Sequence, residues 1–196
     1  MRCGARTSGL VAVCLLAVGV AGCGGDVPTR TLTHADVTGV PAGSATGTTF
    51  SGQFLVTSNQ LEGCHCRSGS CAGLHGSVGE TLQAVERDGS FEFDQGGVIA
   101  QGGIDADGTY HVGSSLEQPG NIQYALIDGH VATAAGAPTG LTFTQYATGQ
   151  NGGLDCDIVS SGQARFVGPP GAATAFSEAT TASLGARGLG VSAAAP

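Results

Sequence analysis

The sequence predicts an all-β fold, a small antiparallel up-and-down β-barrel of eight or nine strands, with an open β-sandwich as the alternative. Apolar and polar residues alternate with period two over the middle of the chain. Asp-Gly pairs recur between the alternating runs, where hairpins turn. No stretch of that region carries a helical period. Consecutive hairpins favour a meander, and closing a meander into a barrel removes its exposed edges.

Taken in order, Phe50, Gly52, Phe54 and Val56 alternate with Thr49, Ser51, Gln53 and Leu55, which reads as a half-buried first strand. Residues 81–86 then meet residues 90–93 across Arg87-Asp88-Gly89. Residues 103–105 meet residues 109–112 across Ala106-Asp107-Gly108. Asp-Gly suits both turns because the chain needs positive φ there, which Gly adopts without steric cost. Residues 97–101, 121–127, 130–134, 141–146 and 156–167 are further strand candidates, and Asp128-Gly129 reads as the tight turn joining two of them. The barrel domain is thus expected over residues 48–167. About 120 residues with few aromatics either fill a small barrel or leave room for one small ligand.

The flanks differ in composition. Residues 1–8 carry two Arg and no acid, and residues 10–20 (LVAVCLLAVGV) are apolar. Eleven residues are too few to cross a hydrocarbon core, which takes about 20 in a helix, but they match the core of a secretory signal peptide. Val20-Ala21-Gly22-Cys23 follows directly. An aliphatic residue, two small residues and a Cys resemble the lipobox of bacterial lipoproteins. The resemblance implies cleavage after residue 22, so that residues 1–22 are a signal peptide. It also implies thioether lipidation of Cys23 and retention on a membrane through two or three acyl chains. Gly24 stands where an Asp marks inner-membrane retention in enterobacteria, so the expected address is the cell envelope, at the outer membrane. Residues 24–47, rich in Gly, Thr, Ala and Pro, read as a flexible tether behind the lipidated Cys23. Residues 168–196 read as a disordered, low-complexity tail.

The strand rhythm and Cys placement over residues 48–167 also resemble the lipocalin- or avidin-like small barrels of bacterial surface lipoproteins. A barrel of this kind is expected to act as a binding or interaction module, with a small apolar ligand held in the barrel mouth.

Charge excludes some partners. The 196-residue chain has 7 basic residues, all Arg, against 15 acidic ones. Two of the Arg lie in the signal peptide. A chain so acidic lacks the basic footprint that nucleic acid or a purely electrostatic membrane contact needs. The membrane partner is therefore reached through the lipid anchor alone.

Beyond Cys23, the mature chain holds Cys64, Cys66, Cys71 and Cys156. In an oxidising envelope four Cys read as two disulfides. A bridge between Cys64 and Cys66 closes a strained three-residue loop and ranks last. Two pairings stay open: Cys64 with Cys71 and Cys66 with Cys156, or Cys66 with Cys71 and Cys64 with Cys156. Both tie a Cys-rich loop after the first strand to the late segment. The competing chemistry is a thiolate–imidazole metal or redox site on Cys64, Cys66, Cys71 and His75.

Other signals resolve to structure. Asp105-Ala106-Asp107-Gly108 resembles the start of a calcium loop, but Leu116 stands where the loop needs Glu, so a hairpin turn is expected. The pairs Glu92/Asp94 and Asp155/Asp157 should each lie on one face of a strand, toward solvent. No motif points to a catalytic residue or a cofactor. The expected function is a non-enzymatic binding or interaction module, its candidate partners a small apolar ligand or another envelope protein. A structural surface-coat lipoprotein with a filled barrel is one alternative, and the metal or redox lipoprotein is the other.

Overall fold

The computed structural model describes residues 28–95, 97–171 and 191–193, the last three as backbone only. Eight strands form a closed antiparallel barrel in which each strand pairs with its neighbours in chain order: β1 (Gly52–Ser68), β3 (Thr81–Arg87), β4 (Ser90–Gln95), β5 (Val98–Ile104), β6 (Thr109–Gln118), β7 (Asn121–Ala134), β8 (Ala137–Asn151) and β9 (Leu154–Gly168). The up-and-down barrel is therefore the fold, and pairing of β1 with β9 excludes the open sandwich. A short strand β2 (Leu74–Gly76) pairs outside the barrel with β10 (Val191–Ala193), so three residues of the expected tail are a strand. Residues 172–190 and 194–196 lie outside the described residues, as do the expected signal peptide (residues 1–22), Cys23 and residues 24–27.

Register sorts the inward face into layers, because residues directly opposite in an antiparallel pair share a face. Val131, Leu141, Ala164 and Val56 form one layer, and Gly129, Tyr110, Phe143, Gly162 and Asn59 the next. Ile127, Val112, Gln145, Ser160 and Leu61 follow, then Ala125, Ser114, Ala147, Ile158 and Cys64. Gln123, Leu116, Cys156 and Cys66 form the rim. The floor is apolar and aromatic: Phe54, Phe91, Phe93, Ile104, Tyr110 and Val112 are buried, with Phe91, Phe93 and Tyr110 ring to ring. Strands β3 to β5 are short, while β6 to β9 and β1 rise past them as a taller wall.

The predicted turns at Asp88-Gly89 and residues 105–108 are present. Asp88 and Gly89 both have positive φ, and Asp105 accepts the Gly108 N–H while donating its own N–H to Thr109 O. The predicted turn at Asp128-Gly129 is not. Both residues lie inside the continuous strand β7, and the chain reverses instead at Ala135-Gly136. Gly129 has another reason to be Gly. A Cβ there would stand 2.4 Å from the Tyr110 hydroxyl, which crosses the strand to donate to Thr142 O at 3.0 Å. Asp128 points outward to His111 on the neighbouring strand.

The expected flexible tether is also corrected over residues 28–47. This segment is a strap packed on the outside of the barrel, with one helical turn α1 (His34–Val37). Leu32 and Val37 are buried with Leu126, flanked by Val40, Tyr124 and Tyr146. The strap lies so close that a Cβ on Gly113 would meet Val37 O at 2.1 Å, and one on Gly103 would meet Gly43 N at 2.4 Å. It then crosses the barrel floor, where Phe50 is buried and its N–H donates to Glu86 Oε2 at 2.8 Å.

Since Gly129 is a space left for Tyr110, Gly129→Ala should destabilise the barrel by roughly 1–3 kcal/mol through overpacking. Urea unfolding measures this; an unchanged midpoint would mean that the aromatic floor does not press on β7.

Candidate functional site

The rim of the tall wall brings all four predicted disulfide residues together. Cys64 and Cys66 lie on β1 itself, on successive inward positions, and not on a loop after it; only Cys71 is in the connection to β2. Strand β1 extends this far because its pairing with β9 continues through four irregularities of register, the last between Cys66 and Ser68. Such irregularities curl a strand and let the barrel close. Cys66 faces Cys156 directly across that seam, and the two are disulfide-bonded. Cys64 is bonded to Cys71, with Cα atoms 6.1 Å apart. Of the two open pairings, the register selects this one. The seam bridge spans 90 residues of sequence. In the chain-entropy picture a loop of this size contributes on the order of 4 kcal/mol.

The two bridges touch. Cys66 Sγ lies 3.4 Å from Cys71 Sγ and 3.8 Å from Cys64 Sγ. Cys64, Cys66 and Cys71 therefore present three sulfurs within 4.8 Å, the one group of metal-ligating atoms that the described residues bring together. His75, the fourth candidate ligand, is on β2 opposite Ser192 and is not in that group. A disulfide sulfur has no thiolate to offer a metal, so in this oxidised form the donor set does not fit one.

Inside the barrel, the apolar Val56, Leu82, Phe93, Tyr110 and Phe143, together with the polar Asn59 and Gln145, line a cavity of about 30 Å³. One or two waters fill such a space, whereas sites for drug-sized ligands run to about 300–1,000 Å³. Two polar groups of this interior were not foreseen as site residues. Ser160 is fully buried in the layer above, its Oγ without a hydrogen-bond partner among the described residues. Glu86 is fully buried at the floor; one carboxylate oxygen accepts from the strap and the other has no such partner. Strand parity could have found Glu86, which shares the inward face with Leu82 and Ala84.

The acidic pair Asp155/Asp157 was expected to face solvent, and for Asp157 this is corrected. It points outward from β9 but lies beneath the strap and is 3% exposed. Thr31 Oγ1 donates to it at 2.7 Å, Thr148 Oγ1 at 2.8 Å and Arg67 at 2.6 Å. Thr148 in turn accepts the Leu32 N–H at 2.7 Å. Arg67 also pairs with Asp155, and Arg30 stacks over the Tyr146 ring at 5.2 Å. Burial pushes the Asp157 carboxyl up, but hydrogen bonds from Arg67, Thr31 and Thr148 outweigh it and hold it below its usual value. The remaining acids of interest serve turns and the strap. Asp105 accepts from Ser44 N and Oγ, Asp107 from Thr109 N, and Glu117 from Tyr124, with His34 Nδ1 2.9 Å away.

A lowered folded-state pKa stabilises above the unfolded value, about 3.9 for Asp, and that stabilisation is lost as pH falls through the folded value. Strap docking should therefore be complete above pH ~5 and fade below pH ~4, and Asp157→Ala should remove on the order of 2 kcal/mol at neutral pH. Hydrogen exchange at residues 28–40 checks both; strap protection that ignores acid and the substitution would exclude Asp157 as the anchor. Comparison of the chain with family models, curated proteins and solved structures finds no match.

Proposed function

We propose that the chain is a lipid-anchored envelope protein whose barrel is a filled, non-enzymatic scaffold that acts through its outer surface and rim. The observation that carries this reading is the interior. The cavity among Val56, Phe93, Tyr110 and Phe143 holds only about 30 Å³, which supports the structural and interaction readings over a small apolar ligand held there. Polarity agrees. Outward positions carry Glu92, Gln101, His111, Glu117 and Asp128, where a barrel immersed in lipid needs an apolar band. The domain therefore stands in water, and membrane attachment falls to Cys23 of the lipobox.

The docked strap changes what that anchor does. Only residues 24–27 separate Cys23 from Pro28, where the described chain begins. Five residue steps reach about 18 Å at full extension. The strap enters beside Tyr146, Thr148 and Asp157, on the tall wall. On this reading the barrel is held close to the bilayer by its tall side, not paid out on a long leash.

The test is expression of the full chain and of Cys23→Ser in a bacterial host. The parent should fractionate with membranes and carry diacylglyceryl mass on a mature chain beginning at Cys23, while Cys23→Ser should be water-soluble. A soluble, unacylated parent would end the anchor reading. Delipidated parent protein incubated with a fluorescent fatty acid should bind none in the barrel; a stoichiometric complex would overturn the filled-barrel reading and leave the anchor reading standing.

A further inference from the structure

The two bridges at the rim abut, Cys64–Cys71 against Cys66–Cys156, with 3.4 Å between the Cys71 and Cys66 sulfurs. From this geometry we infer that the rim is a thiol–disulfide exchange site, in which reduction of the Cys64–Cys71 bridge is passed to the seam bridge. The inference does not depend on the lipid anchor.

Exposure makes the outer bridge the more open of the two targets. Cys64, Cys66 and Cys71 are half-buried, whereas Cys156 is 4% exposed. A reductant therefore finds both sulfurs of the outer bridge open to it, but only the Cys66 end of the seam bridge. Attack of one thiolate of a dithiol on Cys64 Sγ forms a mixed disulfide and expels the Cys71 thiolate. That thiolate sits at van der Waals distance from Cys66 Sγ and attacks it. The Cys66–Cys156 bond breaks, the Cys66–Cys71 bond forms, and Cys156 leaves as thiolate and takes a proton from water. The second thiol of the reductant then resolves the mixed disulfide at Cys64. The balance is one dithiol oxidised to its cyclic disulfide, one protein disulfide lost, one exchanged, and Cys64 and Cys156 left as thiols. Attack in the other sense would free Cys64, which is farther from Cys66 at 3.8 Å and could close only the short Cys64–Cys66 loop.

The product differs from the starting state at the closure of the barrel. Cys66 no longer links β1 to β9 and is joined to Cys71 in the connection to β2. The covalent clasp on the seam is thereby removed without any reagent contacting Cys156. A protein disulfide oxidoreductase or a small dithiol of the envelope is the chemical class of partner that would operate the site.

The test uses the full mature chain under native conditions with limiting dithiothreitol, quenched over time with acid, alkylated, digested and mapped by mass spectrometry. The expected first product carries the Cys66–Cys71 link, with alkyl label on Cys64 and Cys156. A first product labelled at Cys64 and Cys71 with Cys66–Cys156 intact would overturn the relay, as would absence of any exchange. In the double variant Cys64→Ser, Cys71→Ser, which keeps the seam bridge, labelling of Cys156 should slow by about tenfold or more because the intramolecular nucleophile is gone. An unchanged rate would show that the seam is reduced directly.

Discussion

Closure between the first and last strands of the barrel is the constraint on which the other features depend. A meander of β3 to β9 without β1 would leave two open edges and an aromatic floor facing water. Pairing β1 to β9 is the longest-range strand pairing in the barrel, and it is also irregular, with four register shifts along the seam. The Cys66–Cys156 bridge sits near the end of those shifts and fixes which residue of β1 faces which residue of β9. Once register is set there, the inward layers follow in turn: rim, polar middle, aromatic floor.

The strap extends the same logic to the outside. It covers the outward faces of β5 to β9, fills the barrel floor with Phe50, and continues directly into β1. Its contacts are of two kinds. Leu32 and Val37 bury apolar surface, and Asp157 gathers Thr31, Thr148 and Arg67 around one carboxylate. Because Arg67 follows Cys66 on β1 and Asp157 follows Cys156 on β9, the ion pair bridges the seam next to the disulfide. Covalent, ionic and apolar links thus converge at one corner of the barrel.

Much of this was legible in the sequence, and the misses share a cause. Alternation around Phe54, and Asp-Gly at residues 88–89 and 107–108, report local backbone preference, and local preference survived. Asp128-Gly129 carries the same dipeptide signal, but its Gly answers to the Tyr110 ring, a contact between residues far apart in sequence. The strap escaped for a related reason. A segment laid flat on a barrel buries Leu32, Val37 and Ala45 singly among Gly, Thr and Pro, so no period appears, and the glycines that receive it lie on other strands. The Cys pairing depends on a register that irregularities shift, which spacing alone does not encode. Cys64, Cys66, Cys71 and Cys156 were identified as a group from composition and compartment; their partners follow only from the seam.

Hydrogen exchange on the oxidised full chain, read along β1 and β9, tests the closed and covalently clasped seam most directly. Amides of residues 54–66 and 156–166 should exchange as slowly as those of the central β7–β8 pair, opening only with global unfolding. Seam amides that exchange well ahead of β7 and β8 while both disulfides are intact would contradict the account, since the barrel would then be a sheet that merely curls.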